Sequence, residues 1–311
     1  MVPFSHYRVI VNPWAGRGTG ARLLPSLPAL LEGLSYSLVV TEAPRHATAL
    51  AATAAREGAE VVVAVGGDGT VLEVLNGLLG SSTALAVLPI GSGNDFIKPL
   101  GIPRDLEGAA RLLRCGVVRR IDLGRAGDTC FGNGLGIGFD ARVAIETRHF
   151  PRLRGFPLYL AALWRAVWRY RPCPMRVEMD GRILEGRFLM LAVANGRCLA
   201  ANFWLTPHAE MDDGLFDLCL VHAMPLPLFF YHLPKVTRGQ HTHLREVYMA
   251  RSRRVAVQSA LPLPVHADGE ILSEGVTSLE VEIVPNAVGV LCPPEGGAPR
   301  SSPSQRTDHT R

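Results

Sequence analysis

Paired cysteines, long apolar runs and one-sided charge are all missing from this 311-residue chain. The six cysteines (Cys115, Cys130, Cys173, Cys198, Cys219 and Cys292) contain no Cys-x-x-Cys pair. Buried thiols in a reducing compartment fit them better than disulfides or zinc. No apolar run reaches the length of a membrane-spanning helix; the segment from Leu215 to Leu233 is interrupted by Asp217, His222, Pro225, Pro227 and His232. The chain enters its first strand, Tyr7-Arg8-Val9-Ile10-Val11, with no signal-peptide core before it. The expected location is therefore cytoplasmic, at most peripheral to the inner face of a membrane. A net charge of +4 is too mild to imply nucleic acid. No internal repeat is visible. Neither a P-loop nor the Rossmann G-x-G-x-x-G spacing occurs.

What remains is ordinary for a globular protein with a sizeable core: 48% hydrophobic and 19% charged residues, with a length that suits two domains. Up to about residue 125, strands alternate with helices. The expected strands are 7–12, Tyr36–Thr41, Val61–Val65, Leu85–Pro89 and a short one carrying Asp122. The expected helices are 19–33, 46–58, 71–79 and 105–114. This alternation predicts a mostly parallel α/β sheet with ligands at the carboxyl ends of its strands. From about 126 to 287 the texture is of short strands and turns, which predicts an antiparallel β domain with helical insertions near 157–171 and 225–238. The strand Val288–Cys292 is expected to return to the first domain. Residues 293–311, rich in Pro, Ser and Gly, are expected to be a disordered tail.

The organising stretch is Val61–Val65 followed by Gly66-Gly67-Asp68-Gly69-Thr70. A buried strand, a glycine turn and a helix start together form an anion site, with free N–H groups and the positive end of the helix dipole facing it. Asp68 is out of place there: a carboxylate beside phosphate is repulsive unless a cation lies between them. Nucleotide phosphate with Mg2+ explains it, and a plain strand-to-helix turn is the alternative. Asp95 and Asp122 also follow apolar strands, so three carboxylates are expected to gather at one sheet edge; an Asx-turn and a polar strand end are the simpler readings. Asn12, Gly16, Thr41, Thr70 and Ser92 offer amide, hydroxyl and backbone N–H groups at the same edge, with Arg17 and Lys98 as nearby cations. Downstream, His266-Ala267-Asp268-Gly269-Glu270 is either a hairpin turn or a pair of carboxylates able to serve a metal and a substrate hydroxyl. Glu210-Met211-Asp212-Asp213-Gly214-Leu215 is an acidic turn or a hard-cation site.

Residues 150–171 combine Arg152, Arg154, Arg165, Arg169 and Arg171 with Phe150, Phe156, Tyr159, Trp164, Trp168 and Tyr170. Leu160, Leu163, Trp164, Val167 and Trp168 fall on one helical face flanked by Arg165 and Arg169. Core packing and an interfacial helix on anionic lipid are equally good accounts. Nucleic acid is the weaker one, because basic residues are not spread along the chain.

Taken in order, Asn12-Pro13…Gly16, Gly66–Thr70, Pro89–Phe96 with Leu100–Pro103, Asp213-Gly214 and Asp268–Glu270 resemble the diacylglycerol kinase catalytic-domain family, particularly its soluble bacterial members. The resemblance implies an α/β nucleotide-binding domain like that of NAD kinases and 6-phosphofructokinases, followed by a β-sandwich domain. It implies transfer of the γ-phosphoryl group of ATP to a lipid hydroxyl, diacylglycerol first, with other lipids, or a soluble acceptor such as NAD, as rivals. A nucleotide- or lipid-binding regulator is the non-enzymatic rival. By the same resemblance, Asn12, Pro13, Trp14, Ala15, Gly16, Thr41, Gly67, Asp68, Gly69, Thr70, Val71, Leu72, Glu73 and Ser92 contact ATP. Asp68, Asp95 and Asp122 organise the catalytic Mg2+; Glu210, Asp213 and Leu215 (by its carbonyl) match a structural Mg2+ site. Glu270 matches the proton acceptor, with Asp268 its rival. The partners implied are ATP and a lipid, with a homodimer left open. Three departures stand out: Ser92 where Thr is usual, Lys98 where Arg is frequent, and Cys198–Phe203 in place of a glycine-rich stretch.

Overall fold

The computed structural model describes residues 4–153, 155–199 and 203–294. The segment expected to be a disordered tail therefore lies almost wholly outside the described residues. Strands β1 (Tyr7–Val11), β2 (Tyr36–Val40), β3 (Val61–Gly66) and β4 (Ala84–Pro89) lie side by side in the order β4-β3-β1-β2. Each neighbouring pair runs parallel, as in Val9 beside Leu38 and Val63. β3 and β4 are buried at every residue, because helices cover both faces of the sheet. Side chains alternate between those faces. Ile10, Val62, Ala64, Leu85 and Val87 pack on helices α3 (His46–Arg56) and α4 (Asp68–Leu78). Val9, Val63, Val65 and Leu88 pack on the opposite layer with Leu27, Leu31, Ala109 and Leu113. That layer holds α1 (Ala15–Leu23), the short α2 (Leu27–Leu30) and α5 (Leu106–Cys115). Asp105 starts α5 by accepting the Gly108 N–H at 2.7 Å.

β5 (Val117–Ala126), β6 (Thr129–Phe131) and β7 (Gly134–Gly138) lead into the second half. It contains α6 (Phe139–Thr147), α7 (Gly155–Arg169), β8 (Cys173–Met179), β9 (Arg182–Ala194), β10 (Phe216–His222), α8 (Leu226–Val236), β11 (Val247–Ser252), β12 (Arg254–Ala267) and β13 (Glu270–Cys292). Helix α6 and strand β11 had no counterpart among the sequence expectations, and Asp122 lies within a ten-residue strand instead of a short one. Every pairing of β8 to β12 is antiparallel. β8 alternates strictly, with Cys173, Met175, Val177 and Met179 buried in the core of this half.

β13 joins the halves. Its first residues pair with β12, a long stretch pairs antiparallel with β5, and Gly289 and Val290 lie parallel to Ala84 and Leu85 of β4. The return of 288–292 to the first sheet is thus the end of a continuous 23-residue strand. On the far side of the second half, α6, α7 and α8 pack on β9 and β10 through Phe139, Val143, Leu163, Val167 and Cys219. Five of the six cysteines are buried, and all six are free thiols.

Candidate active site

Three loops meet at the carboxyl ends of β1, β3 and β4. Asn12 Nδ2 donates to Thr70 Oγ1 at 2.9 Å, and Asn12 Oδ1 accepts the Trp14 N–H at 3.0 Å. The Ile90 N–H donates to the Gly66 carbonyl at 2.9 Å. Gly67 and Gly91 approach so closely that a Cβ on Gly91 would lie 2.6 Å from Gly67 Cα. Backbone therefore lines this crevice, as close approach of phosphate requires. Helix α4 begins at Asp68, earlier than the apolar spacing alone indicated, so its first N–H groups face the crevice.

Asp68 and Asp95 come together here. A Cβ placed on Gly93 would lie 2.9 Å from Asp68 Oδ2 and 3.9 Å from Asp95 Oδ2. Lys98 Nζ contacts Asp95 Oδ1 at 2.5 Å, and the Phe96 N–H donates to Asp68 Oδ1 at 3.3 Å. Burial, then the charges of Asp95 and Asp268, push the Asp68 carboxyl from 3.8 up to about 6. Asp122 is held by backbone. It is buried, and its two oxygens accept the Gly214 and Asn286 N–H groups at 2.7 Å each. Besides Asp95, Asp68 senses the charge of Asp268, from the β12–β13 hairpin.

Asp268 and Glu270 sit in that hairpin, with Ala267 opposite Glu270. Asp268 and Gly269 take φ of +48° and +88°, as the two central residues of a tight hairpin turn do. Asp268 accepts three backbone N–H groups, from Gly132 (2.7 Å), Asn133 (3.0 Å) and Gly134 (2.8 Å). Among the described residues no hydrogen bond engages the Glu270 carboxylate. It reaches across to α4, where a Cβ on Gly69 would lie 3.0 Å from Glu270 Oε1. The hairpin of the second half thus completes a site begun in the first.

From Asp68, Asp95 and Asp268 an apolar cavity runs into the second half, walled by Phe139, Leu163, Met190, Phe203 and Phe229. Tyr159 of α7 lines it, and burial followed by the Asp95 and Asp68 charges raises its phenol. Asn133 and Asp140 also line it, and each has a buried oxygen (Asn133 Oδ1, Asp140 Oδ2) without a hydrogen-bond partner among the described residues. Neither was singled out from the sequence. A single polar residue in an apolar stretch such as Leu135–Ala141 carries no pattern; only the fold turns it into the cavity.

Other expected site residues lie as follows. Thr41 is buried, with its N–H on the Val11 carbonyl at 2.9 Å. Trp14 and Ser92 are exposed, whereas Val71 and Leu72 are buried in hydrophobic cores. The Glu73 oxygens accept the Arg45 and Ala47 N–H groups at 3.0 and 3.1 Å, capping α3. Asp213 is paired with Arg251, Leu215 donates its N–H to Asp213 Oδ1 at 3.1 Å, and Glu210 is exposed. Among the described residues no cluster of three or more His, Cys, Asp or Glu side chains forms a metal site.

Two family models match the chain: the diacylglycerol kinase catalytic domain over residues 6–126, and the YegS C-terminal NAD kinase beta sandwich-like domain over residues 134–292. The chain is 30% identical to a diacylglycerol kinase of Staphylococcus aureus (strain bovine RF122 / ET3-1) over 268 residues, covering 85% of each. It is 29% identical to the diacylglycerol kinase of Staphylococcus saprophyticus subsp. saprophyticus over 268 residues, covering 85% of this chain and 88% of the relative. Its fold is similar to the crystal structure of a putative diacylglycerol kinase from Bacillus anthracis str. Sterne: TM-score 0.77 at 25% identity, spanning 94% of this chain and 99% of that one. With both halves of the architecture matched, the chain belongs to the diacylglycerol kinase catalytic-domain family, enzymes that transfer a phosphoryl group to an alcohol.

Proposed function

We propose that this lipid kinase transfers the γ-phosphoryl group of ATP to the hydroxyl of a lipid, with diacylglycerol the first candidate acceptor. The observation that supports this most is the continuity of the cleft, in which carboxylates beside a backbone-lined crevice open directly into an apolar cavity. A soluble acceptor such as NAD has no use for such walls, and a regulator has no use for the carboxylate of Glu270 at the crevice.

The loops at 12–16, 66–70 and 90–93 hold the phosphates through backbone N–H groups and the α4 N-terminus. Asp68 and Asp95 fit a divalent cation, because their crowded oxygens have the neighbouring charge of Asp268 and lie within a half-buried site. Mg2+ bound there supplies neutralisation of phosphate charge. Asp268, held by three N–H groups, fixes the hairpin, while Glu270 takes the proton from the lipid hydroxyl. The turn at 210–215 is held by the Asp213–Arg251 pair, and no step runs through it.

The protein reaches its lipid from the membrane surface. Among the described residues no helix is long and apolar enough to cross a bilayer. α7 splits its apolar residues: Leu163 and Val167 face the core, whereas Leu160, Trp164 and Trp168 are exposed. Tyr231 of α8 adds to the exposed set, and Trp164 packs on Phe230 with ring centroids 5.7 Å apart. Exposed Arg169 and Arg238 suit anionic headgroups, whereas Arg165 turns inward to the buried Glu146 at 2.5 Å. Labelled ATP offered with a panel of lipids and with NAD, followed by thin-layer separation, tests the reading. Label in phosphatidic acid supports it, and label only in NADP or in no product overturns it.

A further inference from the structure

His266 has no part in the chemistry just described, yet it lies against the turn that carries Glu270. Its ring is buried and makes two polar approaches. The Gly269 N–H donates to Nδ1 at 3.3 Å, and Nε2 faces Asp140 Oδ2 at 3.4 Å. A ring nitrogen that accepts from an amide carries no proton, so Nδ1 is the unprotonated nitrogen of the ring. Asp140 stands at the start of α6. Its Oδ1 accepts the Ala141 N–H at 2.9 Å, whereas Oδ2, 3.4 Å from His266 Nε2, forms no hydrogen bond among the described residues. The fit is close: a Cβ on Gly136, the β7 residue paired with His266, would lie 1.8 Å from Asp140 Oδ2 and 2.4 Å from His266 Nε2.

The turn is therefore tied from two sides. Asp268 is held by the N–H groups of 132–134, and Gly269, at φ +88°, is held by the imidazole. Glu270 follows immediately, aimed at Gly69 of α4. We infer that His266 is a positioning residue: its Nδ1 accepts the Gly269 N–H and so sets where Glu270 stands relative to the acceptor hydroxyl. This rests on Glu270 being the proton acceptor in the proposed kinase reaction.

Three replacements separate the two contacts. Asn places its amide oxygen near the position of Nδ1 and keeps the Gly269 acceptor. Gln reaches toward Asp140 and leaves the Gly269 N–H unpaired, and Ala loses both. His266→Ala and His266→Gln are expected to lower kcat for lipid phosphorylation by about tenfold with KM for ATP unchanged, while His266→Asn stays within about threefold of wild type. In a Glu270→Gln background, His266→Ala is expected to cost nothing further, since the group it positions is already gone. Equal losses for Asn and Gln, or losses that simply add to that of Glu270→Gln, overturn the inference. Nitrogen-15 NMR of the wild-type imidazole, without ATP or lipid, tests the tie independently of turnover. An unprotonated Nδ1 supports it and a protonated Nδ1 overturns it. A wild type that phosphorylates no lipid defeats the kinase reading instead, with the NMR result still standing on its own.

Discussion

The two ends of the cleft are built on opposite principles. At the end proposed to hold phosphate the working surface is backbone, brought into reach by glycines at 67, 91 and 93 and by the first turn of α4. At the end proposed to hold lipid it is side chain, an apolar wall in which a few polar groups such as Asn133, Asp140 and His266 are placed singly. A phosphate is the same in every nucleotide, so a fixed arrangement of N–H groups serves it. A lipid tail offers no directional groups, so shape and exclusion of water do the selecting, and polar residues act only at its head.

This contrast predicts that damage at the two ends has different kinetic signatures. The largest effect belongs to the shared carboxylates: Asp68→Asn is expected to reduce kcat by roughly two to three orders of magnitude with any acceptor. Steady-state assays with diacylglycerol and with water as acceptor check it. The same residue governs a pH effect in the metal-free protein. Its folded pKa, about 6, lies above the unfolded 3.8, so the native state binds the extra proton between those values. Stability therefore falls as pH rises from about 4 to 6 and stays lower above, by at most about 3 kcal/mol. Thermal melts of wild type and Asp68→Asn across that window should differ in slope, and the variant should melt higher at pH 8. Adding Mg2+ should narrow the gap.

Packing changes sharpen the contrast further. Gly91→Ala pushes a methyl group to within 2.6 Å of Gly67 Cα, so a loss of roughly 1–3 kcal/mol is expected, together with a raised KM for ATP. Leu163→Trp fills the cavity instead. Its expected effect is the smallest, about a tenfold rise in KM for lipid, equivalent to about 1.4 kcal/mol, with KM for ATP unchanged. Equal effects of both variants on both substrates would break the division between the two ends.

The same division explains what the sequence disclosed. The phosphate end was legible because backbone-lined sites need glycines at close spacing, and Gly66–Thr70 and Gly91–Asp95 announce themselves. β3 and β4 were equally plain, since strands covered on both faces have to be apolar throughout. The lipid end was not legible. Asp140 and Asn133 join Asp268 only when β7 pairs with β12 and the hairpin folds back, contacts spanning more than a hundred residues. The partners of Asp122 were equally hidden: its oxygens accept the Gly214 and Asn286 N–H groups, from segments 92 and 164 residues away. The cap that Glu73 provides was hidden for a similar reason, since the helix that it caps is on another segment. The helical stripe of α7 was read as one face, whereas the fold divides it between core and surface at Leu163 and Trp164.

The central claim is that one site is assembled from both halves, with Glu270 of the β12–β13 hairpin serving phosphates held by the first sheet. Transfer of label from ATP to diacylglycerol in mixed micelles, compared between wild type and Glu270→Gln, tests it most directly. The account predicts a wild-type product of phosphatidic acid and a fall in kcat of about a hundredfold or more in the variant, with ATP affinity retained. Undiminished transfer by Glu270→Gln would contradict it.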